Sequence, residues 1–328
     1  MRRLLLCLAV AAGALATAPA AVADGPMYVT QGGAGVSSHN GRFHYVAVPD
    51  GTSRTLLTKI ELPQGQVWSW LPLAGSWGNP SLGAGAAPGE GLSRNGRTLV
   101  LSSTTGPNGS PSRFLVVDTR LMRVVRRITL HGSFSYDALS PDGSRLYLIE
   151  YAYGKQGDLS DYIVRGYDLR ANRLLPGRIA DRTQKDWSMH GSPVTRTYSA
   201  GGRWVYTLYT DPGSYPFVHA LDTVRGVAHC VQLPWEEERN QNGLWQLVLA
   251  VHDGGRTLAV HWRDGRPWVR IAVGSWRVSE QRASFPWPLV GAGVGGALVL
   301  VVAAGGLLLR RRRGQEFDQH AGQELGLA

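Results

Sequence analysis

The feature that most constrains this chain is a tight turn that returns five times. In the middle of the chain Ala138 to Tyr151 reads ALSPDGSRLYLIEY. Ser140-Pro141-Asp142-Gly143 has what a tight turn needs: proline presets φ, Asp bonds its own backbone, and glycine accepts φ > 0. Beyond it Leu146, Leu148 and Glu150 alternate with Tyr147, Ile149 and Tyr151, the period of a strand. Related turns precede strand-like runs at His39-Asn40-Gly41-Arg42, Arg94-Asn95-Gly96-Arg97, Ala200-Gly201-Gly202-Arg203 and Asp253-Gly254-Gly255-Arg256. Their glycines, Gly41, Gly96, Gly143, Gly202 and Gly255, lie 55, 47, 59 and 53 residues apart. One Asn-Gly says little; five such turns at similar spacing define an internal repeat, and repeats of this length mean propellers or solenoids.

The segments between the turns decide between these two. A polar loop leads to a third run, as in Phe114–Asp118, Tyr162–Asp168 and Phe217–Asp222. A short turn then leads to a fourth, at Val124–Leu130, Arg173–Ile179 and Gly226–Leu233. Four short strands per unit of about 40–50 residues is the pattern of a propeller blade. Helical periodicity is absent, which argues against helical solenoids. The expected fold is all-β: a β-propeller of about five four-stranded blades, followed by a single transmembrane α-helix. The run SPDGSRLYLIEY, with third strands closing on VVDTR, GYDLR and ALDTV, resembles bacterial propeller repeats of the TolB-like, YVTN-like and WD-repeat-like kinds. The resemblance covers roughly Met27 to Gln281. It implies a fold and not a function, because propellers host binding modules, scaffolds and several enzyme classes.

Both ends read as membrane signals. Arg2 and Arg3, an apolar stretch from Leu4 to Ala16, and Ala21-Val22-Ala23 before Asp24 have the form of a cleaved signal peptide over 1–23. The propeller is expected over 24–283. Pro288 to Leu309 is a run of 22 residues without charge, long enough to cross a bilayer. Trp287 precedes it and Arg310–Arg313 follow it, the order expected for a helix over 287–309 with its tail, 310–328, in the cytoplasm. The chain is therefore expected to be a single-pass, type I protein of the cell membrane, propeller outside. Gly291 and Gly295 fit a helix-pairing face, and equally a span that is simply rich in Gly and Ala.

The formal charge of +10 divides unevenly. With the terminal segments removed, 28 positive and 21 negative side chains remain. No dense basic stripe stands out, so nucleic acid is not an expected partner. Cys230 is the one cysteine outside the signal segment, in the strand-like VAHCVQL, and reads as a small core residue. The sequence points to no cofactor. Metal ligation has little support: His219 and His229, and His252 and His261, have no recognised ligand spacing.

In the families this chain resembles, the repeated turn joins the first two strands of a blade. Two longer loop sets then share the opposite face, and loops on a rigid scaffold are where binding concentrates. One set includes 181–192 and 234–244, the other 152–161. These bring forward Trp187, His190, Trp235, Glu236, Glu237, Asn240, Asn242 and Trp245, with Tyr153 and Asp161. Aromatic, amide and carboxylate groups together suit a protein partner or a cell-surface glycan near the membrane; solvated loops with packing tryptophans account for them as well. The competing expectation is a glycan-acting hydrolase with paired carboxylates in the channel, where Glu90 and Asp137, with Asp186 in a loop, are the candidates. No catalytic residue is assigned, since no GxSxG occurs and no family motif aligns with these acids. The repeated arginines read as charges that solvate the turn face or pair with a neighbouring blade's acid. Asp118, Asp168 and Asp222 read as turn formers. The last strand, Trp276–Gln281, is expected to end on the long-loop face, which would bring that face toward the membrane.

Overall fold

The computed structural model describes residues 28–51, 53–82, 89–104, 111–153, 159–183, 189, 191–210, 215–235 and 241–281. After β1 (Tyr28–Thr30), the first blade comprises β2 (Val36–Ser37), β3 (Phe43–Pro49), β4 (Arg54–Glu61) and β5 (Gln66–Ala74). The second comprises β6 (Trp77–Ser81), β7 (Thr98–Ser103), β8 (Ser112–Asp118) and β9 (Arg123–Leu130), with β1 added along β6. The third is β10 (Ser133–Leu139), β11 (Arg145–Tyr153), β12 (Leu159–Asp168) and β13 (Arg173–Leu174). The fourth is β14 (Pro193–Tyr198), β15 (Trp204–Tyr209), β16 (Phe217–Asp222) and β17 (Val227–Gln232). The fifth is β18 (Leu247–His252), β19 (Thr257–Trp262), β20 (Pro267–Ala272) and β21 (Arg277–Glu280). Within each blade the four strands pair antiparallel and in chain order, so each blade is an up-and-down meander.

The repeat has a side-chain logic beyond its glycine. Three residues before the glycine stands a serine: Ser38, Ser93, Ser140 and Ser199. Its hydroxyl accepts the backbone N–H of Phe43, Thr98, Arg145 or Trp204 at 2.8–3.0 Å. In the first three blades the hydroxyl also donates to Asn40, Asn95 or Asp142 at 2.7–2.8 Å. The glycine closes the turn at φ of +69 to +71°, its N–H donating to the serine carbonyl. The fifth turn lacks the serine and departs from the pattern: Asp253 takes φ +52° and Gly255 φ +95°. At the other turn of each blade Asp118, Asp168 and Asp222 each accept two backbone N–H groups two and three residues on, and so are turn formers. Blade three's fourth strand is shorter than its sequence suggests, because Pro176-Gly177 interrupt it; pairing resumes only as a bridge between Val164 and Ile179.

Because each blade packs against its neighbours, central strands bury both faces. In β11, Leu146 and Leu148 enter the core shared with blade two, while Tyr147, Ile149 and Tyr151 enter the one shared with blade four. Similar clusters fill the seams between blades one and two and between four and five. Lys59 crosses the first seam: its Nζ lies 4.1 Å from the Phe43 ring centroid and donates to the Thr119 carbonyl at 3.1 Å. At the end of the fifth blade the Gln281 N–H bonds the Trp268 carbonyl at 2.7 Å, at the start of β20 and away from the repeated turns. The chain therefore leaves the last blade on the long-loop face, as expected. The segments expected to be a signal peptide and a membrane span lie outside the described residues, among which no helix is long and apolar enough to cross a membrane.

The turn glycines make a graded prediction. A Cβ at Gly41 meets no neighbour, whereas one at Gly143 would press on the Thr98 side chain of blade two. Both positions carry the left-handed cost of about 1–2 kcal/mol. In chemical denaturation Gly41→Ala should lose about that much and Gly143→Ala clearly more. Equal losses would mean that the blade-two contact adds nothing.

Candidate functional site

Three inner strands deliver charge to one point. Blade two's inner strand is interrupted after Ser81 and resumes through bridges at Gly89 and Leu92, which positions Glu90 between them. Blade three supplies Asp137 at a bulge in β10, and blade four supplies Arg196 from the middle of β14. Arg196 Nη1 lies 2.8 Å from Glu90 Oε2, and Nη2 lies 2.6 Å from Asp137 Oδ1. Nη1 also donates to the Asp137 carbonyl, and Nε donates to Thr207 Oγ1 at 2.8 Å. The side chains of Arg196 and Asp137 are 2% and 3% exposed and that of Glu90 11%. Burial alone would weaken the guanidinium's hold on its proton, but the charges of Glu90 and Asp137 outweigh it and push its pKa well up. A buried ion cluster persists only where its hydrogen bonds are made, and here every guanidinium nitrogen has a partner. The channel carboxylates expected from the sequence, Glu90 and Asp137, do come together, as the two anions of an arginine clamp.

Next to the clamp is a pocket of about 220 Å³. Glu90, Tyr136 and Tyr198 line it from the inner strands, and Ser37, His39 and Arg94 from the repeated-turn side. Tyr198 lies beside Glu90 in the lining, and burial and then that charge push its phenol well above the ordinary range. Burial, then the charge of Glu90, pushes the Tyr136 phenol well above its ordinary range. The turns that frame the pocket are laced together. Arg94 of blade two donates to the Ala200 carbonyl of blade four, and Asn95 bonds the carbonyls of Pro141 and Asp142 in blade three at 3.1 and 3.0 Å. The repeated arginines differ from expectation: Arg42 pairs with Glu61 and Arg203 with Asp222, each an acid of its own blade.

From Arg196 a polar row runs outward across blade four. Arg196 stands opposite Thr207, Thr207 opposite His219, and His219 opposite Cys230. Cys230 Sγ lies 3.6 Å from His219 Nδ1, and its N–H bonds Asp181 Oδ2 at 3.0 Å. Burial and then the charge of Asp181 push the thiol pKa up, so Cys230 is a packed thiol and not a nucleophile. Burial lowers His219 to about 4. His229 stands opposite Ala220 and so points to the other face of the sheet from His219. Among the described residues no group of three His, Cys, Asp or Glu could hold a metal.

The loop residues singled out from sequence are only partly described. Trp187, His190, Glu236, Glu237 and Asn240 lie outside the described residues, as does the side chain of Asn242. Trp235 is buried at the seam of blades four and five, its ring 5.3 Å from Trp268 edge to face, and is a packing residue. Trp245 and Tyr153 are exposed, at 39% and 38%, on different blade connections. Asp161 is half-buried in β12 opposite Ala152. Arg196, Tyr136 and Tyr198 went unnoticed in the sequence. The signal was present: one charge in the short alternating run Val194-Thr195-Arg196-Thr197-Tyr198, on an inner strand.

Neither family models nor curated proteins match the chain. Among solved structures, Kuenenia stuttgartiensis hydrazine synthase is similar at 17% identity and TM-score 0.43, over 70% of this chain and 61% of that one. TolB from Acinetobacter baumannii is similar at 17% identity and TM-score 0.40, over 77% of this chain and 56% of its own. The β-propeller domain of Myceliophteria thermophila Cps50 is similar at 12% identity and TM-score 0.41, over 80% and 70%. The chain thus spans about three fifths of the hydrazine synthase chain. The five-sheet topology, not these likenesses, identifies the propeller.

Two predictions follow from the clamp and the polar row. Arg196→Met leaves two buried carboxylates unpaired and should cost about 3–5 kcal/mol in denaturant titration. Adding Glu90→Gln and Asp137→Asn to that variant should recover at least half; a triple variant as unstable as the single one would refute the clamp. His219 has a folded pKa of about 4 against an ordinary 6.5, so between these values the unfolded chain binds a proton that the folded chain refuses. Stability should therefore fall as pH drops from about 6.5 to about 4, by up to ~3 kcal/mol from this group. His219→Gln should flatten that slope, and an unchanged slope would assign it to other groups.

Proposed function

We propose that this protein is a non-enzymatic binding or scaffolding module carried at the cell surface. Its propeller faces outward, and its C-terminal apolar segment anchors it in the membrane. The observation that carries this reading is the Arg196 clamp. A retaining or inverting glycosidase needs two carboxylates free to act on a bond lying between them. Here the two channel carboxylates share one guanidinium, so Glu90, which lines the pocket, and Asp137 are both ion-paired. What remains is a rigid scaffold with loops on one face and a pocket on the other, the arrangement through which propellers bind partners. The partner is a protein or a glycan close to the membrane.

Two measurements test this. Carbonate extraction of membranes should leave the full chain in the pellet and release a chain truncated after Gln281; release of the full chain would sink the anchor. The purified protein should show no glycoside turnover that Glu90→Gln abolishes, while that substitution lowers thermal stability. Turnover lost in Glu90→Gln at unchanged stability would make the chain a hydrolase.

A further inference from the structure

The pocket on the repeated-turn side has no role in the clamp beyond sharing Glu90, and its chemistry is specific enough to name an occupant. At about 220 Å³ it falls below the roughly 300 Å³ at which pockets for drug-sized ligands begin, so it takes one small ring and not a chain. Its charges cancel. Among the lining residues Glu90 contributes one negative charge and Arg94 one positive one, with Arg94 committed to the Ala200 carbonyl. An ammonium would meet Arg94, and a carboxylate or phosphate would meet Glu90. A neutral ligand meets neither penalty.

The surface inside the pocket is both aromatic and hydrogen-bonding. Tyr198 is 38% exposed and lines the pocket beside Glu90, so part of its aromatic side chain is open to a ligand. Glu90 is pinned by Arg196 and can still accept a hydrogen bond. The Ser37 hydroxyl, bonded to His44 Nδ1 at 2.8 Å, and the His39 ring add polar groups at the rim. An apolar ring face with hydroxyl-directed groups around it is what a pyranose requires. Rigidity favours binding as well. The laced turns and the clamp hold the walls in place before any ligand arrives, which reduces the ordering cost of binding.

We propose that this pocket holds a single neutral sugar residue, the terminal unit of a surface glycan. The inference rests on the binding-module reading and narrows it to one site and one ligand class. It is tested by saturation-transfer difference NMR on the full chain in nanodiscs, which avoids sugar-based detergents. The probes are neutral monosaccharides (glucose, galactose, mannose, N-acetylglucosamine and arabinose), with a cyclic amine and a cyclic carboxylate of similar size as controls. At least one sugar should give transfer, unchanged in size between about 50 mM and about 500 mM salt because the ligand is uncharged. Tyr198→Ala should weaken it about tenfold or more. Trp70→Ala, on the exposed outer strand of blade one, should leave it unchanged. His39→Ala, a rim change remote from the clamp, should weaken binding without altering the melting temperature, which separates a site effect from misfolding. Transfer from no sugar, transfer that survives Tyr198→Ala, or a preference for the amine or carboxylate would overturn the proposal. A pull-down from solubilised membranes separates the two failures: a specific partner retained by Tyr198→Ala, with no sugar bound, defeats the pocket proposal and leaves the module reading standing. Absence of both defeats the module reading too.

Discussion

Arg196 is a buried guanidinium between two buried carboxylates, and the organisation of this propeller's axis depends on it. It extends from blade four to Asp137 of blade three and Glu90 of blade two with charged hydrogen bonds of 2.6 and 2.8 Å. Two carboxylates this close and this buried repel each other and lose their hydration; the cation removes the first cost and its hydrogen bonds offset the second. Apolar seams hold neighbouring blades together in pairs, but they carry no information about the axis. The clamp links three blades at once through groups whose geometry tolerates little change.

The same interaction determines what the channel can do. A propeller axis lined with free acids is a place for acid–base chemistry; here both acids are bonded to one guanidinium, one positive charge against two negative ones. The pocket beside that clamp takes its character from it. Glu90 is fixed by Arg196, and the exposed Tyr198 lines the pocket beside it. Blade-to-blade bonds at the repeated turns, from Arg94 and Asn95, hold the rim.

Much of the fold was legible because its signals are local. The turn glycines at Gly41, Gly96, Gly143 and Gly202 need a left-handed backbone, and the third-strand Asp residues need only their own following N–H groups, so short spacing reveals both. The serine three residues before each of these glycines is an equally local signal, since its hydroxyl serves the backbone of its own turn. The site was harder to read. Glu90 and Asp137 could be placed near the axis from strand position, but the arginine that bonds both lies 106 residues from one and 59 from the other, and nothing local ties them together. Trp235 misled for a similar reason. In sequence it borders an acidic, polar loop; in the fold its ring turns inward against Trp268. Residue type in a loop does not say which way a side chain faces.

The most direct test of the account is a double-mutant cycle between Arg196 and Glu90, measured by denaturant unfolding of wild type, Arg196→Met, Glu90→Gln and the double variant. The account predicts that the two substitutions are strongly non-additive, with a coupling of about 1.5 kcal/mol or more and the double variant less damaged than the sum of the singles. Coupling near zero would show that the two residues are neighbours without being partners. The carboxylates of the channel would then be free for chemistry.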